Sequence, residues 1–315
     1  MQTTDWKRIA IFLGFAFGIA WAVALVIALT GGLQNSPDLG GGLTLALVLL
    51  ATGYMAAPAL AHVLTRWVTH EGWQDLYLRL NFKQGWRYWL IVWLGSPLLL
   101  LAGAALFFAL FPQYFDANLN TLQSMLEAQA AQAGQVMPQM ALWPLVIVQG
   151  LVAIVIAPIV NVLPILGEEF GWRAYLQPKL IGLGARKAML LMGVIWGLWH
   201  APIIAMGHNY GLEYAGAPWL GIVVMTWFTF VMGTFLGWAV VRAGSVWPAV
   251  IGHGLVNGFA GIVLFAVQGQ PNPILGPSTA GLIGSAGFAL AALLLLLSRR
   301  AWTVPQPVAV EPPSA

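Results

Sequence analysis

The chain contains no cysteine, which excludes disulfides, thiolate metal sites and a cysteine nucleophile. Charge is nearly as scarce. Only 7% of the 315 residues are Asp, Glu, Lys or Arg, against about 25% in an average soluble domain. With 60% hydrophobic residues and a mean hydropathy of +0.82, this excludes a soluble globular protein and a disordered chain. Lys and Arg number 13 against 10 acidic residues. That excess is too small to point to nucleic acid, so no nucleic-acid partner is expected. No H-E-x-x-H is present, so no spacing favours a metal. Asp5, Asp38, Asp75 and Asp116 all fall in loops or termini, which leaves no aspartate dyad inside a membrane layer.

What is present is length and apolar runs. At about 20 residues per span, there is room for roughly eight transmembrane helices. Eight runs can be marked, at 9–29, 43–65, 88–111, 142–166, 188–206, 218–241, 246–267 and 279–298. The first is too long for the apolar region of a signal peptide and is read as a retained helix. The sixteen tryptophans suit a protein with two bilayer interfaces to anchor. The expected fold is therefore an all-α polytopic membrane protein, a single integral domain over 1–300. Residues 301–315 form a Pro-rich tail expected to be disordered.

The basic residues alternate strictly. Lys7 and Arg8 precede span one, and Arg66, Arg79, Lys83 and Arg87 lie between spans two and three. Arg173, Lys179, Arg186 and Lys187 lie between four and five, Arg242 between six and seven, and Arg299 and Arg300 after eight. These are all thirteen; the loops 30–42, 112–141, 207–217 and 268–278 contain none. The positive-inside rule then puts both termini in the cytoplasm, in what would be a bacterial plasma membrane. A short helix is expected over 118–133 on the outer side, stopped by Gly134 and Pro138. An interfacial helix is expected over 71–80.

Charge within the hydrocarbon layer is expensive and by default marks function. Three clusters qualify. Glu168 and Glu169 are adjacent and point about 100° apart on a helix, so they serve different neighbours. Glu169 and Arg173 are four apart and can pair, leaving Glu168 free; Asn161, seven residues earlier, shares the Glu168 face. Trp196 and His200 share a face of span five, and His253 and Asn257 share a face of span seven. Each cluster also has a plain structural reading, as a helix-end ion pair or as interhelical hydrogen bonds contributing about 0.6–2 kcal/mol. Depth links them. If the fourth helix runs to about Leu180 and turns at Gly182–Gly184, kinked at Pro158 and Pro164, Glu168 and His200 each lie roughly 18–20 Å from the turn.

A carboxylate and two imidazoles at one depth suit water activation, with Glu168 as general base assisted by His200. His253 and the Asn257 amide can donate to a tetrahedral oxyanion. Glu168, His200 and His253 could instead bind zinc with an open fourth position. No cofactor is expected otherwise.

In these motifs the chain resembles the CPBP family of CAAX proteases and bacteriocin-processing enzymes, also called Abi. The carriers are Glu168-Glu169-x-x-x-Arg173, Trp196-x-x-x-His200 and His253-x-x-x-Asn257, over residues 140–265. The resemblance implies a catalytic Glu168 with His200 as its partner, and His253 and Asn257 on the oxyanion side. Glu169, Arg173 and Trp196 take supporting places. It implies an intramembrane endopeptidase acting on a membrane-associated peptide or protein in the lipid bilayer, by a glutamate-dependent, metal-free route. The alternatives are a non-catalytic immunity or scaffold protein of the same fold, and a transporter. Against transport, the outer halves hold little beyond Gln149 and threonines, and no pair of broken helices repeats in two halves.

Overall fold

A computed structural model of the chain describes residues 4–138 and 140–303. Among the described residues the regular structure is all helical, with only isolated bridges and no strand. Each apolar run becomes a helix or a helical pair, giving an all-α polytopic membrane protein. Helix α1 (Trp6–Leu29) is capped by Asp5, whose carboxylate accepts from the Arg8 backbone N–H. The second run is α2 (Leu45–Leu49) and α3 (Ala57–Val68), joined through a π-turn at Leu50–Tyr54. The third is α4 (Phe82–Leu110). Helix α5 (Asn120–Gln132) occupies the outer segment where the composition places one.

The fourth run is broken. Helix α6 (Leu142–Val160) stops at Asn161, and α7 (Val162–Gly171) starts afresh. Pro164 explains part of this, because it has no N–H to bond back to Val160. The motif helix continues through a second π-turn at Trp172–Leu176 into α8 (Gln177–Leu180) and turns back at Gly184, whose φ of +90° suits glycine. Then come α9 (Ala185–Trp199), the single-turn α10 (Ala201–Ala205), α11 (Trp219–Ala243), α12 (Trp247–Phe259) and α13 (Ala286–Leu297). Six of these stretches are long and apolar enough to cross a membrane: 6–29, 45–68, 82–110, 142–160, 219–243 and 247–266.

Packing centres on α11, the most buried of the long helices. Helix α9 lies along it so closely that a Cβ on Gly193 or Gly197 would come within 2.5 Å of the Phe230 or Thr226 backbone. This is the small-residue contact that lets membrane helices approach without a hydrophobic driving force.

Two expectations need correction. Residues 71–80 form no helix. Asp75 and Tyr77 have φ of +55° and +57°, and the backbone serves tertiary partners: Val246 N–H donates to the Tyr77 carbonyl and Trp247 Nε1 to that of Leu78. Run eight is helical only from Ala286, because residues 279–285 fold back as coil, buried at Thr279, Ala280 and Ser285 and stitched by backbone bonds such as Leu282 N–H to the Ile274 carbonyl. Of the tail, Ala301 and Trp302 belong to a 3₁₀ turn, and Thr303 accepts from Arg242; the rest lies outside the described residues.

Candidate active site

Three helices supply the motif residues. Glu168 and Glu169, on α7, are 3% and 0% exposed. The helix turns them apart. Glu168 Oε2 accepts from Trp196 Nε1 at 2.9 Å. Glu169 Oε1 accepts from His253 Nδ1 at 2.8 Å, and its Oε2 lies 3.3 Å from Arg173 Nε. Glu169 therefore does more than pair with Arg173 along its own helix. It bridges to α12 and fixes the His253 ring, leaving Nε2 as the free nitrogen.

Arg173 is 1% exposed and sits over the face of Trp196, 4.2 Å from the ring centroid. Its Nε and Nη1 have no hydrogen-bond acceptor among the described residues, so the ring face and the Glu169 charge carry its compensation. Trp196 is the hub. Its indole N–H holds Glu168, its face holds Arg173, and its ring meets His253 edge-on at 5.3 Å.

His200 closes α9. Its Nδ1 lies 2.7 Å from the Trp196 carbonyl oxygen. A carbonyl only accepts, so Nδ1 carries the hydrogen and Nε2 keeps a lone pair in the neutral ring. The backbone beside it is also pinned, because the Trp199 carbonyl accepts from the Tyr54 hydroxyl and from Trp21 Nε1 at 3.3 Å. Asn257, one turn along α12 from His253, is exposed.

Glu168, His200, His253 and Asn257 line a single cavity of about 420 Å³. Tyr54 and Asn161 share it. The Asn161 amide donates to the Ala157 carbonyl at 2.9 Å, within the broken turn between α6 and α7. His208, at the outer end, also lines the cavity, and burial pushes its imidazole below the ordinary value. Among the described residues no group of three or more His, Cys, Asp or Glu side chains is placed to hold a metal ion.

Residues 143–259 match the family model of type II CAAX prenyl endopeptidases, Rce1-like. The chain is also 33% identical over 95 residues to CAAX prenyl protease 2 of Methanococcus maripaludis. That match covers 29% of this chain and 34% of the archaeal protein's length. Over this stretch the chain is similar to type II CAAX prenyl endopeptidases.

The matched stretch holds all seven motif residues, from Glu168 to Asn257. The site also leans on residues outside the matched stretch. His62, on α3, donates from Nδ1 to the Phe170 carbonyl at 2.9 Å and accepts from Arg66 Nε at 2.7 Å, tying span two to the motif helix. Tyr54 lies in the π-turn of the same span, a local defect common at functional sites. Neither carries a motif. The available signal was a lone histidine and a tyrosine inside the apolar run 43–65.

Proposed function

We propose that the protein is an intramembrane endopeptidase that hydrolyses a peptide bond of a membrane-associated protein or peptide. The observation that carries this reading is the convergence of Glu168, His200, His253 and Asn257 on one cavity.

The chemistry follows from the free atoms. Glu168 has one oxygen occupied by Trp196 and the other available to take a proton from water. His200 offers Nε2 as a second acceptor for that water. The hydroxide so formed attacks the scissile carbonyl carbon. Negative charge then develops on the carbonyl oxygen, where His253 Nε2–H and the Asn257 amide can donate. With Nδ1 donating to the Glu169 carboxylate, His253 donates from Nε2 as imidazolium. Collapse breaks the C–N bond, and the proton held by Glu168 or His200 leaves with the amine.

The test is comparison of new protein N-termini in membranes from cells producing wild type or Glu168→Gln at equal membrane levels. The expected result is a set of cleavage products present with wild type and absent with the variant. Identical products from both would support a scaffold of this fold instead.

A further inference from the structure

The cavity has a direction. On five separate elements, the residue deepest towards the basic face is a member of the catalytic layer or its neighbour, and further lining residues follow only towards the other face. From Glu168 the lining runs back to Pro164 and Asn161. From His253 it runs on to Asn257 and Ala260, and from Trp196 to His200 and Ile203. Span two contributes Met55 beside Tyr54 and then Ala51 and Leu47; α11 contributes Met232 and then Phe228 and Met225.

The roof comes from connections without a basic residue. His208 and Asn209 line it from one loop, Ser278 to Ala280 from another. Tyr210 joins the two by donating to the Ala280 carbonyl at 2.8 Å. Asn209, Asn257 and Leu47 are exposed, which marks the mouth.

The opposite end is shut. One turn past Glu168, Trp172 is 0% exposed and packs edge-on against Phe12 and Trp199, at 5.6 and 5.8 Å. Tyr175, Leu176 and Met189 extend this buried plug towards the basic face. The larger polar hollow on that face, about 860 Å³ and lined by Glu71 and Lys179, shares no residue with the catalytic cavity.

All thirteen Lys and Arg lie on the plugged side. By the positive-inside rule that side is cytoplasmic. We infer that water and the scissile segment reach Glu168 from the outer face, and that the substrate is a peptide segment a membrane-anchored protein exposes outside the cytoplasm. This rests on the hydrolase reading for the word substrate, but its geometry does not depend on turnover.

The chain's lack of cysteine makes the test direct. Single variants Asn209→Cys, Ala260→Cys and Lys83→Cys are treated with a small membrane-impermeant thiosulfonate in intact spheroplasts and after lysis. The inference expects Asn209→Cys at the mouth and Ala260→Cys in the cavity to react as fully before lysis as after. Lys83→Cys should react only after lysis. Reaction of Ala260→Cys only after lysis overturns the inference, as does reaction of Lys83→Cys in intact spheroplasts. Ala260→Cys that reacts in neither state also overturns it, because a cavity closed to so small a reagent admits no peptide. Glu168→Gln tests the hydrolase reading separately. Lost labelling with retained Glu168-dependent cleavage would sink the outer entrance alone.

Discussion

Replacing Glu169 with glutamine keeps the side chain's shape and removes its charge. The carboxylate is 0% exposed, and its neighbour Arg173 is 1% exposed. Breaking a buried ion pair by removing one partner costs about 3–5 kcal/mol, because the remaining charge stays desolvated. Two features pull the expected value to the low end. Arg173 keeps the face of Trp196 at 4.2 Å, a contact worth about 2 kcal/mol when desolvated. The glutamine carbonyl can still accept from His253 Nδ1. A loss of about 3 kcal/mol is expected, roughly two powers of ten in the folded-to-unfolded ratio. The assay is reversible unfolding in mixed micelles titrated with dodecyl sulfate, followed by tryptophan fluorescence. The double variant Glu169→Leu with Arg173→Met removes both charges and should recover most of the loss, since apolar replacement of a whole buried pair is often neutral. A Glu169→Gln loss below about 1 kcal/mol, or a double variant no better than the single, would refute the claim that this charge is compensated by Arg173.

Three further outcomes can be checked. Gly171→Ala places a Cβ 2.4 Å from the Pro58 backbone, so α7 and α3 must part; it should cost about 1–3 kcal/mol in the same unfolding assay, while Gly14→Ala, with nothing within 4 Å, should not shift it. Tyr54→Phe removes the hydroxyl that donates to the Trp199 carbonyl, and should cost about 0.5–1.5 kcal/mol of stability and slow cleavage by loosening His200; unchanged values on both counts would reject the positioning role. Burial alone would raise the Glu71 carboxyl, but hydrogen bonds from Lys179 at 2.7 Å and Tyr175 at 2.9 Å hold it below the ordinary value. A depressed folded value means its stabilising contribution is complete above pH about 4.3 and is lost as pH falls through the folded value, so the acid side of the stability–pH curve should flatten in Glu71→Gln.

The eight apolar runs were legible because lipid demands about 20 consecutive apolar residues, and Asp, Glu, Lys and Arg all fall outside the marked runs. The faces were not legible. Helices such as α6 and α11 are apolar all round, so periodicity cannot separate a lipid-facing side from a protein-facing one. The turn at Gly182–Gly184 was readable from its glycines, but the break falls at Asn161, between the two prolines expected to kink the helix. The π-turns at 50–54 and 172–176 carry no composition cue, since tertiary packing selects them. At the site, four-residue spacing identified the Glu169–Arg173 pair. It could not reveal the 2.8 Å bond from His253 to Glu169, which joins residues 84 apart in sequence. The 71–80 strap misled because its mixed polarity resembles an interfacial helix, while left-handed residues at Asp75 and Tyr77 keep it irregular.

The central claim is that Glu168 activates the water that cleaves a peptide bond. Its most direct measurement is the initial rate at which purified protein in liposomes cleaves a product substrate identified from the membrane comparison, for wild type and Glu168→Gln at equal folded concentration. Loss of a general base predicts a fall of about 10²- to 10⁴-fold. A Glu168→Gln rate within a few-fold of wild type would contradict the account.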